Sequence, residues 1–137
     1  MATPKRCCVF FGDDLVPDDI SALLGAKPTS SLRKGEVRNA TGTPRIAPTG
    51  RWSLKATLRE PEDLEAQVFE ILDQLTSDLD VWQSLSRYEP DLFCGIFMAS
   101  TNDTLPLSAG AIRALGLRGI ALKLDIYDSG DRATDIG

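Results

Sequence analysis

The clearest alternation in the chain lies over residues 51–58. Trp52, Leu54, Ala56 and Leu58 fall on one side and Arg51, Ser53, Lys55 and Thr57 on the other, with Arg59 next in the polar set. That period of two predicts a half-buried strand with a polar, basic outer face. Residues 6–11 carry two apolar alternating sets, Cys7/Val9/Phe11 and Cys8/Phe10, and residues 92–98 (Leu92-Phe-Cys-Gly-Ile-Phe-Met98) are likewise apolar on both sides. They predict central strands with both faces at least partly covered. A last strand over about 120–127 alternates Ile120, Leu122, Leu124 and Ile126 against Ala121, Lys123, Asp125 and Tyr127.

Between the strands the period changes to that of helices. Pro17-Asp18-Asp19 opens the first, because proline suits the first helical position and acids complement the helix dipole. Ile20, Leu23 and Leu24 form its apolar stripe, and Gly25 is the expected stop. Pro61-Glu62-Asp63 opens a second helix carrying Leu64, Val68, Ile71, Leu72 and Leu75. A short third carries Leu79, Trp82 and Leu85, and a fourth, capped by Ser108, carries Ile112 and Leu115 with Gly116 as its candidate stop. Pro28 directs residues 29–32 into a short edge strand. Residues 36–50, rich in Thr, Gly and Pro, read as a mobile loop or an open hairpin, and residues 128–137 as a polar tail. Ile20-Ser-Ala-Leu23 and Ile112-Arg-Ala-Leu115 echo each other, which suggests two strand-helix-strand units. The expected fold is one α+β domain over residues 1–137: a largely antiparallel sheet with helices packed on one face, of ferredoxin-like character.

Leu24-Gly-Ala-Lys-Pro-Thr29, Lys34-Gly-Glu36, Trp52-Ser-Leu54 and Leu124-Asp-Ile-Tyr127 together resemble a bacterial family of domains of unknown function, numbered 4279. The resemblance spans the chain from the first strand to the last and implies a small bacterial α+β domain. It brings no catalytic residue, because most of its marks are a helix stop, an extended segment, a turn and a buried tryptophan.

Charge changes the picture more than composition does. Between Lys27 and Arg59 stand Lys27, Arg33, Lys34, Arg38, Arg45, Arg51, Lys55 and Arg59 against the single acid Glu36. The rest of the chain holds seven cations against nineteen acids, and the whole carries a net charge of −5. Arg33, Lys34, Arg38, Arg45, Arg51, Lys55 and Arg59 are therefore the candidate binding residues, for a small anion or an acidic protein, since guanidinium forks grip carboxylate and phosphate. The competing expectation is a solvated face neutralised by the acidic helices. The acidic total disfavours nucleic acid as the partner.

Catalytic chemistry has little to stand on. The chain has no histidine, which removes the commonest general base and metal ligand. Its three cysteines, Cys7, Cys8 and Cys94, have no metal-type spacing, and no phosphate-binding glycine loop is present. No cofactor or metal is expected. The acid pairs Asp13/Asp14, Asp18/Asp19 and Glu62/Asp63 read as helix-start residues. The balance leans against an enzyme. Two alternatives stand beside the binding module: a small-molecule enzyme with a pocket on the open sheet face, using Cys94 or a carboxylate, and a homodimer that buries that face. No apolar run reaches the ~20 residues of a membrane span, and no signal-peptide core follows Met1, so a cytoplasmic location is expected.

Overall fold

The computed structural model describes residues 5–40, 42–58, 63–97 and 104–127. Its sheet strands are β1 (Arg6–Gly12), β2 (Ser30–Leu32), β5 (Gly50–Lys55), β6 (Asp91–Phe97) and β7 (Ala121–Tyr127), in the order β2-β5-β1-β6-β7. A separate two-stranded ribbon pairs β3 (Val37–Ala40) with β4 (Thr43–Ile46), inside the segment expected to be a mobile loop or an open hairpin. Its base continues the β2–β5 ladder through Gly35 N–H to Ala47 O (2.9 Å) and Ala47 N–H to Glu36 O (2.9 Å).

The sheet is antiparallel from β2 to β6, and only β6 and β7 run parallel. Strands β1 and β2 therefore point the same way with β5 between them. Strands β5 and β6 likewise flank β1. These interlocked split units are the ferredoxin-like arrangement, and α4 (Ala109–Leu117) adds β7 to it as a parallel fifth strand. The two echoing segments lie in the helices of two strand-helix-strand units, β1–α1–β2, with α1 at Pro17–Leu24, and β6–α4–β7. The units differ in that β1 and β2 are separated by a strand, whereas β6 and β7 are neighbours.

Helices α1, α2 (Leu64–Gln74), α3 (Leu79–Ser84) and α4, with a 3-10 turn at Ser86–Tyr88, bury Ile20, Leu24, Leu64, Val68, Ile71, Leu72, Trp82 and Leu115 in one core, whereas Leu23, Leu79 and Ile112, expected in the apolar stripes, are exposed. That core takes Cys8 and Phe10 from β1, Trp52 and Leu54 from β5, and Leu92 and Cys94 from β6. Phe10 lies edge-on to Trp52 and stacked on Trp82, with centroids 5.6 and 5.8 Å apart. Caps fix the helix entries: Asp63, Asp78 and Ser108 accept from Ala66, Asp80 and Ala111 N–H. Gly25 closes α1 at φ 73°, its N–H donating to Ser21 O at 2.9 Å. In α4 the left-handed glycine is Gly119, at φ 71°; Gly116 stays helical. Leu58, expected on the apolar side of β5, is 57% exposed because the strand ends at Lys55. Pro61, Glu62 and the tail 128–137 lie outside the described residues. Among the described residues no helix is long and apolar enough to cross a membrane.

Candidate functional site: the open face of the sheet

With the helices on one side, the other side of the sheet is built by the alternate residues, and the register arranges them in rows. One row runs Lys55–Cys7–Phe93–Lys123 across β5, β1, β6 and β7. The next runs Ser30–Ser53–Val9–Asp91–Ala121, and a third Leu32–Arg51–Phe11. The second apolar set of β1 is what a sheet face with an apolar floor requires. The floor bears Cys7, Val9, Phe11 and Phe93, while Cys8 and Phe10 face the helices.

These rows line a concavity of about 510 Å³, rimmed by the cations Lys5, Arg51, Lys55 and Lys123. Among the described residues its one carboxylate is Asp91, which is 3% exposed and accepts Lys123 Nζ at 3.1 Å. Lys123 is thus engaged, whereas among the described residues no carboxylate pairs with Arg51 or Lys55. Arg51 and Lys55 stand four residues apart on the same face of β5, with Cα atoms about 13–14 Å apart. Between those two, Ser53 shares a 3.0 Å hydrogen bond with Ser30, in which either hydroxyl can donate.

The field of the rim converges on Cys7. Burial pushes its thiol above the ordinary value, and Lys55, Arg51 and Lys5 oppose that shift, in that order. A thiol held protonated by burial is a poor nucleophile at neutral pH. Cys94, named as the thiol of an enzymatic alternative, is fully buried in the helix-side core, so the thiol at the concavity is Cys7 instead. Among the described residues no group of three or more His, Cys, Asp or Glu is placed to hold a metal.

Of the candidate residues among the described ones, Arg51 and Lys55 line the concavity. Lys34 is tied to Asp13 at 3.2 Å, at the other side of the α1 entry loop. Arg33 lies just beyond β2, where its backbone N–H donates to Glu36 Oε1. Arg38 and Arg45 face each other across the β3–β4 ribbon, and Arg59 lies outside the described residues. Arg33, Lys34, Arg38 and Arg45 are thus not among the residues that line the concavity. Lys5, Lys123, Cys7, Asp91 and Phe93 were not among the candidates. Their signal was the two-sided apolar character of β1 and β6 and the polar set of β7; the strand order that unites them is not written in either.

Comparison with known proteins leaves the site without a characterised counterpart: no curated protein and no solved structure matches the chain. Residues 8–129 do match a family model, described as Domain of unknown function (DUF4279). That match runs from within β1 through β7 and takes in all four helices, and the chain belongs to this family.

Proposed function

We propose that the chain is a binding module whose open sheet face takes a small anion carrying a flat apolar body. The observation that supports this reading is the pairing of two unengaged cations, Arg51 and Lys55, with an apolar floor of Val9, Cys7 and Phe93 in one concavity. The anionic group sits over Ser53, where both cations can lean toward it and a hydroxyl can donate. Coulomb attraction is stronger beside a low-dielectric floor than in open water. The apolar body covers Val9 and Phe93, and burial of that surface supplies the rest of the affinity at about 25 cal/mol per Å². Binding rather than catalysis is favoured because Cys7, the thiol on the floor, is held protonated by burial.

The test is thermal stabilisation by benzoate, phenyl phosphate and inorganic phosphate, measured on the native chain and on the Arg51→Ala/Lys55→Ala double variant. The aromatic anions should stabilise the native chain more than phosphate does, and the double variant should lose the response. An equal response in both proteins would sink the reading.

A further inference from the structure

The two edges of the sheet are unlike. Strand β2 is three residues long and follows Pro28, a short edge that offers little to pair with. Strand β7 is seven residues long, and among the described residues nothing pairs with its outer side. Its helix-side residues Leu122, Leu124 and Ile126 are 42%, 50% and 56% exposed. A long, apolar edge without proline, bulge or repeated charge is what soluble proteins avoid unless the edge is used.

The sequence of this edge is complementary to itself. We infer that β7 pairs antiparallel with β7 of a second copy, about a two-fold axis through Leu124, joining two five-stranded sheets into one of ten strands. In that register Leu124 meets Leu124, Leu122 of each copy meets Ile126 of the other, and the three exposed apolar residues close on one face. On the other face Lys123, which also lies 3.1 Å from Asp91, stands opposite Asp125, whose carboxylate also accepts the Tyr127 hydroxyl at 2.8 Å, and the small Ala121 stands opposite Tyr127, whose ring stacks on Phe97. All seven residues, Ala121–Tyr127, find partners. The neighbouring registers that keep both sheets' helices on the same side fail. Moving the axis to Lys123 sets two ammonium groups against each other, and moving it to Asp125 does the same with two carboxylates. Opposite charges across a ladder stabilise and like charges destabilise, so this one strand specifies both its partner and its register. Arg51 and Lys55 lie three strands from the axis on the opposite half of the sheet, so this pairing stands or falls independently of ligand binding.

The test uses position 124, where a half-exposed side chain can be changed without opening the core. Sedimentation velocity over a concentration series should show a dimer for the native chain. Leu124→Lys and Leu124→Glu, each confirmed folded by circular dichroism, should each be monomeric, because the axis sets like charges together. An equimolar mixture of the two should recover the dimer, because lysine then faces glutamate. Asp125→Lys, on the other face, should also weaken the dimer by placing lysine opposite Lys123. A native chain that is monomeric throughout, a dimer that survives in both Leu124 variants or in Asp125→Lys, or a mixture that stays monomeric would each overturn the inference.

Discussion

Lys123 Nζ lies 3.1 Å from the Asp91 carboxylate across the parallel β6–β7 ladder, with the aspartate buried and the lysine mostly in water. The pair holds down the one negative charge on the floor of a cationic concavity. Removing the lysine leaves a desolvated carboxylate with no counter-charge. Because the ammonium is largely hydrated, the cost should fall below that of a fully buried pair, at about 1–2 kcal/mol. Lys123→Met should lower the unfolding free energy obtained from urea denaturation by that amount, and adding Asp91→Asn should restore part of it. A double variant less stable than Lys123→Met would contradict this.

Cys7 offers a native reporter of the concavity. It lines the site, whereas Cys8 and Cys94 are fully buried in the core. Burial raises the Cys7 pKa and the rim cations oppose the rise. Neutralising them with side chains of similar bulk, Arg51→Gln with Lys55→Gln, therefore raises it further and lowers the thiolate fraction. Iodoacetamide, followed by peptide mapping, should label Cys7 first among the three cysteines. Labelling should speed up as pH rises and be slower in the double variant at every pH. Equal rates in the two proteins would show that the cations do not act on the thiol.

Asp13 gives the fold a small acid dependence. The Thr49 hydroxyl and then Lys34 hold its carboxyl below the ordinary value. A carboxylate depressed in the folded state stabilises above its unfolded pKa, about 3.9. That contribution disappears as pH falls through the lower folded value. Asp13→Asn should therefore flatten the acid limb of the stability profile below about pH 4 and leave the shape near neutral pH unchanged. An acid limb of the same steepness in both proteins would assign the dependence to other carboxylates. The same contact explains why Lys34 is a poor ligand-binding candidate: it already has a partner.

Gly50 tests the packing at the end of the β1–β5 ladder. It is paired with Gly12, and a Cβ at Gly50 would stand 2.6 Å from Gly12 O and 3.0 Å from Leu15 Cβ. Backbone cannot yield as a flexible side chain does, so Gly50→Ala should cost about 1–3 kcal/mol by overpacking. Chemical denaturation measures it directly, and an unchanged midpoint would mean that the strands separate there at little cost.

These particulars show what was legible in the chain. The alternation around Trp52 and the double apolar sets of β1 and β6 come from the local period of the backbone, so strand positions and the α+β class could be read directly. Pro17, Ser108 and Gly25 act within one helical turn, so the limits of α1 and the start of α4 could be read from them, whereas the stop expected at Gly116 falls three residues later, at Gly119. The site depends on contacts distant in sequence. Cys7 meets Lys55 on one side and Phe93 on the other only because β5 and β6 flank β1. The placement of the basic residues depends on the same long-range contacts: Arg38 and Arg45 pair across their own ribbon, while Lys123, remote from the basic segment, lines the concavity.

The central claim, that the open sheet face is the binding surface, is tested most directly by mapping amide chemical shifts during a titration with phenyl phosphate. The account predicts saturable shifts at Cys7, Val9, Arg51, Ser53, Lys55 and Phe93, lost in Arg51→Ala/Lys55→Ala. Shifts confined to the helices or to the β3–β4 ribbon, or unchanged by that double substitution, would contradict it.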